Sequence, residues 1–457
     1  MNLSYTEAHT TSAIDLYELR QSWLTETDIH ANAFEGVEER LCASLYHCAS
    51  SLQSVVPDNA ETDTDTPEDA DTPAPKTEAE CFVFLASHLI STQAATRNAG
   101  YDLAHQWLTQ DAAKSAAAEA SLSLYPQLNQ IPPDNTPLLK LYEEQEALRP
   151  TVLRLIRKQM QALPIALINT AATAETSTAA LKREALAYAA ARPEIGPDIF
   201  RTHYQPLLTG KTQFDAAVIE AAIWGGMLRG DADATRAISA ALTHISTAKE
   251  RASLLRLAAL SGAAEFLPLL LQACENDPDP DTGYYLLTLY GQKSVMPELL
   301  RAMENAHTIE AAATAFNQLS DHLLPRIPRL TVVGETADDE EADDEDTPEH
   351  IPDIKAARTW WDNNQANWKT DERWLAGRPT TVPHLQAFAQ KYAGSLGRDV
   401  MAQLALAQKA PLNIASDTWR ARQYQLLAEQ SAAKPANNTA SKAAGKAAAK
   451  PARTQHA

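Results

Sequence analysis

Residues 255–274, LRLAALSGAAEFLPLLLQAC, and residues 285–303, YLLTLYGQKSVMPELLRAM, carry one pattern twice. Gly262 aligns with Gly291, Pro268 with Pro297 and Leu270 with Leu299. Past each glycine the apolar residues fall at the same offsets: Leu267, Leu270, Leu271 and Cys274 in the first copy, Met296, Leu299, Leu300 and Met303 in the second. That i, i+3, i+4, i+7 spacing is one face of an α-helix. A looser copy, GMLRGDADATRAISAAL at 226–242, puts Gly230, Ile238 and Leu242 in register. The successive glycines lie 32 and 29 residues apart.

The unit so defined is a helix, a glycine able to take the left-handed conformation at its C-terminus, and an antiparallel helix. Pro268 and Pro297 belong in the first turn of the second helix, where the missing N–H costs little. Helix pairs recurring at a period of about 30 residues signal stacked solenoid units. The alternative is an irregular helical bundle containing a chance duplication. Composition agrees on the class, because Ala and Leu dominate, β-branched residues are sparse and only 15 of 457 residues are Gly. The expected fold is all-α, an α-solenoid of antiparallel helix pairs.

Outward from this core, 138–333 reads as the repeats, 1–57 as an N-terminal helical hairpin and 81–130 as its helical continuation. Val37, Leu41, Leu45 and Leu52 mark the apolar face of the hairpin's second helix. Two acidic stretches interrupt the pattern. Residues 58–80 hold nine carboxylates and one Lys, and the second stretch, 334–353, holds eleven carboxylates and no base. Neither has an apolar period, so both are expected to be disordered. The region 354–430 contains five of the eight Trp and reads as a helical cap, and 431–457 is a low-complexity Ala/Lys/Pro tail, expected to be disordered, with five basic residues. The net charge of −20 thus resides mainly in the two insertions. It argues against nucleic acid as a partner, since phosphate binding needs a basic face.

Cys42, Cys48, Cys81 and Cys274 fall at irregular spacings and suit reduced thiols in a cytoplasmic protein. The N-terminus lacks a basic segment followed by an apolar run, and no window approaches the roughly 20 apolar residues of a membrane helix. The expectation is a cytosolic protein with no membrane partner.

No phosphate loop, dinucleotide turn, zinc-protease helix or nucleophile elbow is present. Cys42, His47, Cys48, Cys81 and His88 are the nearest approach to a metal cluster, but they lack finger-like spacing, and packing accounts for them more simply. The acidic run DDEEADDED at 338–346 lacks the turning Gly and ligand spacing of a calcium loop. The expectation is therefore no enzyme, no metal and no cofactor. The Trp-rich region offers a docking patch instead, with Trp374, Arg378, Trp419 and Arg422 as candidate protein-binding residues, because Trp and Arg anchor interfaces. The competing reading places these Trp in the interior of the cap.

The opening DLYELRQSWL…DIHANAFEGVEERLCASL and the ending RWLAGRP…HLQAFAQ…GSLGRDVMAQLALA…PLNIASDTWRARQ resemble a family of HEAT-like repeat proteins encoded in bacteria with type VI secretion loci. The shared features at the C-terminal end fall on Arg373, Trp374, Gly377, Pro379, Leu385, Arg398, Leu404, Ala405, Trp419 and Arg422, and the resemblance spans about 14–423 without the acidic insertions. It implies a HEAT-like α-solenoid in the cytoplasm of a Gram-negative bacterium, linked to the contractile secretion apparatus or its cargo. The family brings no catalytic residues. The implied role is a scaffold or adaptor that binds a secretion component or effector. An immunity protein neutralising a cognate toxin is the alternative. The acidic insertions and the Lys/Ala tail depart from the family pattern, and they leave the partner open, as is the oligomeric state.

Overall fold

A computed structural model of the full chain describes residues 3–27, 29–53, 75–129, 136–276, 280–328, 350–410 and 418–433. The acidic stretches at 58–74 and 334–349 and the tail from 434 lie outside the described residues.

The chain begins with helices α1 (Leu3–Trp23), α2 (Ala31–Gln53), α3 (Glu78–Leu89), α4 (Ala94–Trp107), α5 (Ala112–Asn129), α6 (Thr136–Glu144) and α7 (Arg149–Lys158). There follow α8 (Ile165–Thr173), α9 (Ala179–Ala190), α10 (Asp198–Leu208), α11 (Ala216–Leu228), α12 (Ala232–Leu242) and α13 (Ala248–Ser261). Then come α14 (Leu267–Asn276), α15 (Pro280–Tyr290), α16 (Met296–Ala302) and α17 (Ile309–Ser320). The strands β1 (Arg326–Pro328) and β2 (His350–Pro352) flank the second acidic stretch, and α18 (Ile354–Asn364) leads to β3 (Trp374–Leu375) and β4 (Arg378–Pro379). The chain closes with α19 (Val382–Lys391), α20 (Gly394–Gln408) and α21 (Arg420–Ala433). The fold is all-α, and its strands form two short antiparallel pairs, β1 with β2 and β3 with β4.

Two compact units divide the chain. The first comprises residues 1–162, 389–398 and 413–457, and the second residues 163–388 and 399–412. In the first, α1 and α2 form the expected hairpin, with Val37, Leu41 and Leu45 buried. α3 packs against α4 and α5, and α21 packs on α2.

The second unit carries the repeats. Helices α9, α11, α13, α15 and α17 pack each on the next, while α8, α10 and α12 line up against them on one flank and α14 and α16 pair with α15 and α17. These are stacked antiparallel pairs of the kind the repeat requires, sharing one apolar seam. Gly230, Gly262 and Gly291 take φ of +69°, +65° and +65° at the ends of α11, α13 and α15. A single 3-10 turn follows each of the last two, and Pro268 and Pro297 each take the second position of the next helix. Leu270, Met296, Leu299 and Met303 are fully buried, as their periodicity demanded.

Both acidic stretches reach less far than expected, because their C-terminal residues start helices. The Thr77 hydroxyl accepts from the Glu80 N–H at 3.2 Å while the Glu80 carboxylate accepts from the Thr77 N–H at 3.1 Å, a capping box that opens α3. Asp353 caps α18 with its side chain alone, accepting from the N–H groups of Lys355 and Ala356. Residues 350–352 pair with 326–328 instead of continuing a loop.

Candidate functional site

The helices of the repeats leave their last carbonyl groups without intrahelical partners. In the second unit the segment RWLAGRP, 373–379, supplies them. The Arg373 guanidinium donates from Nε to the Tyr290 carbonyl at 3.1 Å and from Nη1 to that of Leu260 at 2.7 Å. Its Nη2 donates to Ala259 at 3.2 Å and to Leu289. One side chain thus closes the C-termini of both α13 and α15. The backbone of the same segment extends the closure. The Trp374 N–H donates to Gly291 at 2.7 Å, and the N–H groups of Ala376 and Gly377 donate to Gln318 and Leu319 of α17 at 2.8 Å. The strap therefore joins three successive repeat helices.

The glycines at these ends leave room for it. A Cβ on Gly262 would stand 2.7 Å from Arg373 Cδ, and one on Gly291 would stand 2.6 Å from the Trp374 carbonyl oxygen. Arg373 has no carboxylate partner among the described residues, and burial pulls its pKa down to about 10.

The device recurs. Arg229, just past α11, donates to the carbonyls of Ala189, Ala190, Arg192 and Ile195 around the end of α9. In the first unit, Arg420 donates to Ala389 at 2.9 Å and Gln390 at 3.2 Å in the last turn of α19. Guanidinium suits this role because its planar fork serves several acceptors at once, and a cation at a helix C-terminus complements the dipole.

The four residues nominated for docking separate into two pairs in different units. Trp374 is buried, stacked on Trp368 with ring centroids 4.5 Å apart, and Trp368 meets Trp361 edge-on at 5.5 Å. Arg378 is exposed on β4, opposite Leu375. Trp419 is buried beneath the Arg20 guanidinium, 5.1 Å from its ring. Arg20 pairs with buried Glu38 at 2.9 Å, whose other oxygen accepts the Arg420 N–H at 2.8 Å. Burial pushes the Glu38 pKa up against the pull of these donors. Arg422 is half-buried, bonded to Gln425 at 3.1 Å and 3.7 Å from the Glu429 carboxylate. Both indoles therefore lie in the interior, the competing reading for these Trp.

Two features carried no sequence signal. Asp399 of α20, fully buried, accepts from Arg256 of α13 through one oxygen and from the Tyr285 hydroxyl of α15 at 2.7 Å through the other. The second feature is a cavity of about 370 Å³ beside the strap. Its wall includes Met227, Asp231, Leu260, Arg373, Gln403 and Lys409. Asp231 caps α12 and also accepts from Arg201 Nε and the Tyr204 hydroxyl, each at 2.6 Å. Burial alone would raise the Asp231 pKa, and these donors reverse that to hold it below the usual carboxylate range. Among the described residues no group of three or more His, Cys, Asp or Glu is placed to hold a metal ion, and the four cysteines are free thiols. No described helix is long and apolar enough to cross a membrane.

These elements define a class, an all-α protein of tandem antiparallel helix pairs tied at their C-terminal ends by arginine. Comparison with family models, curated proteins and solved structures finds no match to the chain.

Proposed function

We propose that the protein is a non-enzymatic interaction scaffold or adaptor, accessory to type VI secretion, which offers the flank of its helical repeats to a protein partner in the bacterial cytoplasm. The observation that carries this reading is the employment of its buried and half-buried ions. Arg229, Arg373 and the Arg256–Asp399–Tyr285 cluster each tie one helix to another, which stiffens a surface without preparing a reactive group. Large apolar side chains also stand exposed just past the last of the repeat helices. Leu323, just past α17, is 83% exposed, and Ile327 on β1 is 41% exposed. Large apolar residues in the open are where a partner gains most from contact. The link to secretion rests on the resemblance of the two chain ends.

Affinity purification of the full chain from native cells, followed by mass spectrometry, tests the reading. Recovery of secretion components, reduced in a Leu323→Asp/Ile327→Asp variant of unchanged stability, supports it. Recovery unaffected by that variant overturns the placement of the surface, and a turnover abolished by one conservative substitution overturns the non-enzymatic role.

The acidity of the chain favours one second reading, an immunity protein for a basic effector, since complementary charge speeds encounter. A single toxic effector in the purified material, and killing of a deletion strain by its kin, would select it.

A further inference from the structure

Helix α17 stops before its apolar pattern does. Ala312, Phe316 and Leu319 lie fully buried on one of its faces, and the next position in that series is Leu323. Instead Asp321 takes a left-handed φ of +55°, a conformation that is costly for a residue with a Cβ, and the chain leaves the helix axis. Leu324 turns inward, buried, with its N–H on Asn317 Oδ1 at 3.2 Å. Leu323 is left 83% exposed.

The strap accounts for the early end. In a continuing helix the Gln318 carbonyl accepts from the His322 N–H, and the Leu319 carbonyl accepts from the Leu323 N–H. Here Ala376 and Gly377 of the strap donate to those two carbonyls, each at 2.8 Å. The His322 N–H turns to Ser320 Oγ at 3.2 Å, and the Leu323 N–H has no acceptor among the described residues. The approach is close, since a Cβ on Gly377 would stand 2.8 Å from the Ser320 carbonyl oxygen. The seated strap and a longer α17 compete for the same acceptors.

We propose that the end of α17 is a two-state switch operated by the strap. With the strap seated, Leu323 is held out toward a partner. With the strap released, His322 and Leu323 reclaim the Gln318 and Leu319 carbonyls and Asp321 returns to the right-handed region. Leu323 then falls in line with Phe316 and Leu319. Pro325 ends the extension there, because the residue before a proline is disfavoured in helical backbone. Arg373 anchors the strap on α13 and α15, so the ends of those two helices govern the state of Leu323. The docking role of Leu323 rests on the proposed function, whereas the switch is a property of the free chain.

The test is hydrogen–deuterium exchange of the full chain, resolved to single amides, in wild type and in Arg373→Ala/Gly377→Ala. Release is expected to speed exchange at Trp374 and Ala376 and to slow it at Leu323 by about threefold, because that amide gains an acceptor. Simple loosening would speed Leu323 or leave it unchanged, and either result alongside faster Trp374 and Ala376 overturns the proposal. Gly262→Ala leaves the strap sequence intact but sets a Cβ 2.7 Å from Arg373 Cδ. It is expected to move the same amides in the same directions, and it decides should the double variant fail to fold. Unchanged exchange at Ala376 in every folded variant overturns the control by Arg373. No partner enters this measurement, so its failure is distinct from a failure to capture protein through Leu323 and Ile327.

Discussion

Arg373 Nη1 donates to the carbonyl oxygen of Leu260 at 2.7 Å across 113 residues of sequence. The same guanidinium serves α15, so two helix ends in the repeat stack depend on one side chain. Arg373→Ala should lower the unfolding free energy by about 3 kcal/mol, since charged hydrogen bonds are lost and carbonyls are stranded. Arg373→Lys should recover less than half of that, because an ammonium cannot fork across two helices. Urea titrations of the three proteins measure both effects.

Gly230 and Gly291 share nearly the same left-handed φ but differ in surroundings. At Gly291 a new Cβ would press on the Trp374 carbonyl oxygen, whereas at Gly230 the nearest atom is Lys409 Cδ, 3.9 Å away. Gly230→Ala should therefore cost only the conformational strain, about 1 kcal/mol. Gly291→Ala should cost at least twice as much, because the strap must move. Equal losses for the two variants would contradict the close approach.

Asp399 holds Arg256 and Tyr285 from a fully buried position. Burial depresses the Arg256 pKa, and the facing carboxylate reverses the shift to leave it raised. Asp399→Ala should destabilise the protein by about 2–3 kcal/mol by taking the Asp399 carboxylate from the half-buried Arg256 guanidinium. Adding Arg256→Met should restore a large part of it. A double variant no better than the single one would show that Asp399 acts mainly through Tyr285 or through packing.

His105 and His203 are both held below the usual imidazole value of 6.5, first by burial, and for His203 also by Lys182. The unfolded chain therefore takes up protons that the folded chain refuses. Their contribution to stability is complete above about pH 6.5 and declines as the pH falls toward the folded values. Midpoints of denaturation followed from about pH 7.5 down to about pH 5, across the imidazole range, should fall, and His203→Gln should flatten the slope.

The parts of the fold governed by neighbours in sequence were legible. Gly262, the turn after it and Pro268 specify a helix end and the next helix start within seven residues, and the structure places all three so. The limits of the acidic stretches are harder to read in the sequence for a related reason. Thr77 and Glu80 carry the spacing of a capping box, but the surrounding charge hid it. The strap was out of reach, because the acceptors of Arg373 are main-chain carbonyls, which carry no residue identity. For the same reason Trp374 and Trp419 invited a surface role. An indole that stacks on Trp368 and one that lies under Arg20 look alike in composition to one that waits for a partner.

The distance from Leu260 to Arg373 also sets a schedule for the nascent chain. At a synthesis rate of roughly 5–20 residues per second, the end of α13 leaves the ribosome on the order of ten seconds before the side chain that closes it. Helices α13, α15 and α17 are made with open ends and are locked only when residues 373–377 arrive. A truncated product ending before Arg373 would expose those ends to chaperones and proteases, which makes the strap a checkpoint for synthesis past residue 377.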